Sequence, residues 1–165
     1  MILHYFKKKE NNLEKLSQNT YNSILLKSKL FINNQKLSIN KNYNSSFEIV
    51  SIFLIMYIKL NIEYKIKDYR IINEYLVSIL ISDLDESLRT KGIGDMSIGK
   101  YVKKYVKKFY FRLNNFPTNI DLKNLDLFVN YLKMFDFIEP TNYSIGSKVL
   151  LNYYIEILKD FNKKN

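Results

Sequence analysis

Apolar residues recur at intervals of three and four along almost the whole of this 165-residue chain, and no stretch sustains a period-2 alternation. That spacing gathers apolar side chains on one side of a helix and gives a strand no consistent inner face. Four Gly and two Pro are too few breakers for a β-sandwich, which turns at every corner. Ile and Tyr favour strands by intrinsic propensity, but a sustained period outweighs propensity. The expected fold is all-α, a single-domain bundle of about six helices. Residues 20–165 form its helical domain, and 1–19 are expected to be a flexible or loosely attached basic segment. With 47% hydrophobic and 25% charged residues, the composition is globular rather than disordered.

A first helix is expected over 12–31, with Leu13, Leu16, Tyr21, Ile24 and Leu25 on one side. The Asn-rich stretch 33–44 reads as loop. Ser45-x-x-Glu48 matches a capping box at the start of a second helix that is apolar on all sides to about Leu60, as a buried central helix would be. A third, from about Asp68 to Thr90, carries Ile72, Leu76, Leu80, Leu84 and Leu88. A fourth covers about 96–115, with Ile98, Tyr101, Val102, Tyr105, Val106, Phe109, Tyr110 and Leu113 as its core face. Pro117 follows it, and Thr118-x-x-Asp121 caps a fifth holding Leu122, Leu125, Phe128, Leu132 and Phe135. The last begins at Ser144 or Ile145 and presents Leu150, Tyr153, Ile157, Leu158 and Phe161.

The longest apolar stretch, Ile49 to Ile58, is interrupted by Ser51 and reaches about half of the ~20 residues a spanning helix needs. No membrane-crossing helix is expected. The start, Met1 to Lys9, places its apolar residues before its basic ones, the reverse of a secretory signal. It reads as a disordered start, ahead of a rival reading as an anionic-bilayer contact.

The chemistry available is narrow. Without Cys there are no disulfides, thiolate metal sites or cysteine nucleophiles, and His4 is the one histidine. No catalytic, cofactor-binding or metal-binding residues are expected. Gly94-x-x-x-x-Gly99-Lys100 fits the first part of a phosphate loop, but Tyr101 replaces the Ser/Thr hydroxyl and a helix precedes it where a strand is required. Asp83, Asp85 and Glu86 read as an ion-pairing surface for Arg89 or for lysines of the next helix. The glycines of 92–99 read as a helix–corner–helix device at 92–95. Gly92 ends the third helix in a left-handed conformation, Gly94 frees a tight reversal, Asp95 caps the fourth helix, and Gly99 admits a neighbouring helix.

Lys, Asn, Ile and Tyr are all abundant and Ala is absent, a skew typical of AT-rich coding. The net charge of +10 therefore says less than its distribution. Residues 100–115 hold six cations and no acid: Lys100, Lys103, Lys104, Lys107, Lys108 and Arg112. Such a face repels itself by a few tenths of a kcal/mol per pair; it reads as a surface for an anionic partner, narrowly ahead of a rival reading as an ordinary solvated face. The tyrosines Tyr101, Tyr105 and Tyr110 fall on the opposite, core side rather than on a base-stacking platform.

The stretch Asp83-Leu84-Asp85-Glu86-Ser87-Leu88-Arg89-Thr90-Lys91-Gly92-Ile93-Gly94-Asp95, followed by Val102-Lys103-Lys104 and Phe109-Tyr110-Phe111-Arg112, resembles the ubiquinol–cytochrome c chaperone family. Members show D-x-D-x-x-L-R-x-x-G-[VI]-G-D, then a basic helix ending near F-Y-G-R. Phe47-Glu48-Ile49-Val50 also resembles the family's F-E-[LI] helix. The specific likeness covers 83–112, with Asp83, Asp85, Leu88, Arg89, Gly92, Gly94, Asp95, Phe109 and Tyr110 as its motif residues. Phe111 stands where the family has Gly, and Thr90-Lys91 where an acidic–apolar pair is usual.

The resemblance implies a non-enzymatic assembly factor for the cytochrome bc1 complex (respiratory complex III) that needs no cofactor. Its client would be newly made cytochrome b or another bc1 subunit. Ribosome or rRNA contact, an anionic membrane surface and a small partner protein are further implied partners. The expected place is cytoplasmic, peripheral to the inner membrane, or on the matrix side in an organelle. A nucleic-acid-binding helical module using the same lysine face is the alternative.

Overall fold

The computed structural model describes residues 2–117 and 125–164. Among them are six α-helices: α1 (Ile2–Ile32), α2 (Tyr43–Glu63), α3 (Tyr69–Thr90), α4 (Asp95–Asn114), α5 (Leu125–Leu132) and α6 (Tyr143–Lys164). A 3-10 turn, Pro140–Asn142, leads into α6. The all-α reading holds. The expected cap at Thr118 and Asp121, with Leu122, lies outside the described residues, as do the side chains of Met1 to Lys9.

Helix α2 is the hub, touching α1, α3, α4 and α6. Its sequence is apolar all round, and Ile49, Ile52, Phe53, Leu54, Ile55 and Met56 are sealed from solvent. An 18-residue window of α2 has a mean hydropathy of 1.5, long and apolar enough to cross a membrane by length and composition. This corrects the expectation that no segment is so: the scattered polar residues that end an apolar run do not lower the average of a whole helix enough. With 72% of that window buried inside the bundle, α2 is spent as a core helix.

On one side α1 and α3 pack together and against α2. The spacing of Ile72, Leu76, Leu80, Leu84 and Leu88 buries all five. Helix α1 begins earlier than residue 12. Leu13 packs on the core and Ser17 is buried, so contact with the bundle starts before the boundary expected at residue 20. On the other side α5 and α6 pair around an aromatic cluster in which Phe116 stacks edge-on to Phe128 and Tyr131. An isolated bridge, Ile39 to Ile138, ties the α1–α2 loop to the segment after α5, with the Asn40 N–H donating to the Phe137 carbonyl at 3.2 Å.

The expected capping box at Ser45 and Glu48 is not formed. Asn42 is the N-cap of α2, and its side chain accepts from the Ser45 N–H at 2.9 Å. Glu48, instead of reaching back, points into the bundle. At the corner, Gly92 adopts φ +82, the left-handed conformation that glycine takes without a Cβ clash. Gly94 is the extended N-cap of α4, and Asp95 is the first helical residue with no capping role. A Cβ on Gly99 would meet nothing within 4 Å, so no helix approaches there. The close approach occurs at Gly146, where a Cβ would run into the Ile138 side chain.

Candidate functional site

The corner between α3 and α4 shows why its acidic and basic residues stand where they do. Arg89, in the last turn of α3, pairs with Asp85 at 2.6 Å one turn earlier and also with Asp95 across the corner. One guanidinium thus ties the first residue of α4 to α3. The Ile93 N–H donates to the Leu88 carbonyl and the Gly92 N–H to the Arg89 carbonyl, closing the end of α3 as a left-handed cap does. Asp83 faces the other way and accepts from the Tyr21 hydroxyl of α1 at 2.8 Å. Burial, reinforced by Asp83, pushes the Tyr21 hydroxyl above the usual tyrosine range. Nearby, the Tyr43 and Ser87 hydroxyls share a 2.7 Å hydrogen bond, and the Lys91 ammonium lies 3.9 Å from the centroid of the Tyr43 ring. The expected pairing of Asp85 with Arg89 is therefore present.

The six cations of α4 divide. Arg112 is 2% exposed and pairs with Glu48 of α2, whose carboxylate is itself 1% exposed and also pairs with Lys108. Arg112 further donates to the Met134 carbonyl at 3.2 Å and stacks over the Phe135 ring, 4.3 Å from its centroid. The Tyr131 hydroxyl returns a bond to the Arg112 carbonyl. Lys108 and Arg112, expected on the partner face, are thus turned to the fold, Arg112 buried and Lys108 half-buried: at positions four apart they lie on the flank of α4 that adjoins α2, where the buried carboxylate demands positive charge.

Lys100, Lys103, Lys104 and Lys107 remain exposed. With Ser97 and Tyr101 they line a shallow depression open to solvent. Among the described residues none of the four has an acidic partner within ion-pair distance. Two tyrosines expected in the core are also outside: Tyr101 and Tyr110 are exposed, as is Phe111. Tyr105 is half-buried, edge-on to Phe47 at 4.7 Å and to Tyr43 at 5.8 Å, and its hydroxyl donates to Asn44. Phe109 is buried as expected. Among the described residues no group of three or more His, Asp or Glu is placed to hold a metal ion.

These features define an all-helical protein whose distinctive assets are a braced corner and a one-signed surface. A sequence profile of the ubiquinol-cytochrome C chaperone family matches residues 35–121, from the loop before α2 through all of α4. The chain belongs to that family, whose work is assembly of the ubiquinol–cytochrome c (bc1) complex. In fold it is similar to the crystal structure of the Cbp3 homolog from Brucella abortus, with a TM-score of 0.71 at 20% identity, over 91% of this chain and 84% of that one. No curated protein matches the sequence.

Proposed function

We propose that this chain is a non-enzymatic assembly chaperone that receives newly made cytochrome b at the membrane, beside the ribosome, and meets an anionic partner through the outward lysines of α4. The observation that carries this reading is the set of four unpaired lysines, Lys100, Lys103, Lys104 and Lys107, on a helix braced at both ends. At its start Arg89 bridges to Asp95, and towards its end Glu48 holds Lys108 and Arg112. A rigid support spares the surface an ordering cost on binding. Family membership supplies the bc1 complex as the destination, and binding without chemistry is what such a surface offers.

Deleting the gene tests this directly. Membrane cytochrome b and assembled bc1 complex should fall while other respiratory complexes persist. Normal bc1 content would overturn the proposal. A second reading, binding of ribosomal RNA by the same face, draws support from exposed Tyr101, whose ring stands beside the lysines where a base could stack.

A further inference from the structure

The outermost line of α4 runs Met96, Lys100, Lys103, Lys107 and then Tyr110 and Phe111. Steps of three and four residues keep these side chains along one edge of the helix. The line is cationic in the middle and apolar at both ends. Met96 is fully exposed, Phe111 is 59% and Tyr110 44% exposed. No acid stands between Asp95 and Asp121. From Met96 to Phe111 the edge is about 22 Å long. Folding gains nothing from a bare Met and a bare Phe at the two ends of a lysine row, and both lie on the side of α4 away from the bundle.

We infer that this edge of α4 docks on an anionic lipid bilayer, its lysines meeting headgroup phosphates while Met96 and Phe111 enter the boundary with the acyl chains. The inference rests on the chaperone reading above and names the partner of its lysine face. Two observations favour lipid over RNA. The guanidinium of this segment, on Arg112, is turned inward, which removes the planar fork best suited to nucleic-acid phosphates. Met96 has no ring for a base to stack on. Long lysine stems keep their ammonium groups at phosphate level while the apolar ends sit deeper.

The experiment is flotation of the full chain with vesicles of phosphatidylcholine alone or mixed with phosphatidylglycerol, at low and high salt. Binding should require the anionic lipid and fade with salt. K103Q/K107Q should weaken it roughly 30-fold, from about 1 kcal/mol per lysine near the surface. Because the chain contains no Trp, F111W provides a single emission reporter. Its emission should shift to the blue on anionic vesicles and be quenched by acyl-brominated lipid. Absence of binding to anionic vesicles overturns the inference, as does binding that K103Q/K107Q leaves unchanged. Emission that ignores vesicles but responds to a ribosomal RNA hairpin also overturns it, in favour of RNA. Circular dichroism of both variants verifies their fold. If gene deletion depletes bc1 complex but vesicles are not bound, the docking surface alone is wrong. If vesicles are bound but deletion leaves bc1 content normal, the chaperone reading alone is wrong.

Discussion

Lys108 and Arg112 stand on the same helix as Lys100, Lys103, Lys104 and Lys107, yet the fold treats the two sets oppositely. The first two share one buried carboxylate, Glu48. The other four face water with no acid beside them among the described residues. Residue type and sequence neighbourhood do not separate these sets. Angular position around α4 does, because a rotation of roughly a third of a turn takes a cation from the flank against α2 to the open side. A run of like charge on a helix is therefore two features superimposed, an internal clamp and an external surface, and each makes its own demands on mutation.

The sharpest way to break that contrast is Arg112→Met. It leaves Glu48 buried beside Lys108, which at 34% exposed neutralises it less completely. Removing one partner of a buried ion pair costs about 3–5 kcal/mol, so the melting temperature should fall by roughly 10 °C. Adding Glu48→Leu to Arg112→Met should recover much of the loss, since a well-packed apolar replacement of a buried pair is often neutral. Thermal unfolding of the three proteins checks both steps. An Arg112→Met protein that melts like the parent would mean the clamp is absent in solution.

Alkali probes the inner side next. Burial raises the Tyr131 hydroxyl, which donates to the Arg112 carbonyl, above the usual tyrosine range, and raises Tyr154 to about 12. An unfolded tyrosine ionises near 10, so above that pH the unfolded chain releases protons that the folded one retains. Stability should be complete below about pH 10 and fall as pH climbs from there through 12. Urea midpoints and tyrosinate absorbance followed together will show it. Tyrosines that all titrate near 10 in a chain that stays folded would contradict the sealed interior.

What the sequence disclosed follows from range. Local periodicity located the six helices of the described residues, and the leucine ladder of α3 and the left-handed Gly92 were legible because each depends on residues a few positions apart. Glu48 defeats a local reading because Ser45-x-x-Glu48 satisfies the capping-box pattern, while its partners lie on another helix, sixty and more positions away. A signal was present: an acid between Phe47 and Ile49, in a helix apolar all round, has to find a cation inside the core. The same limit applies to Tyr101 and Tyr110. They lie at the margins of the apolar arc of α4, where the footprint of α2 and α3 decides burial and the helix's own sequence does not.

The outer side predicts gains where the inner side predicts losses. Gly99 sits in an exposed turn of α4 with open space where a Cβ would go. Gly99→Ala should stabilise the chain by about 1 kcal/mol, a rise of roughly 3 °C. A loss instead would reveal a neighbour packed against this face.

The smallest effect is the most discriminating. In the isolated chain K103Q/K107Q removes two charges from a row that has no acid to lose, so stability should change by no more than about 0.5 kcal/mol. The sign should be favourable at low salt, because like charges at adjacent turns repel by a few tenths of a kcal/mol, and the gain should vanish as salt screens them. Urea unfolding at two ionic strengths measures it. A salt-independent loss above 1 kcal/mol would mean these lysines serve the fold as Lys108 and Arg112 do. Near-neutral stability combined with impaired docking would separate the two sets of cations on one helix by function as cleanly as the structure separates them by position.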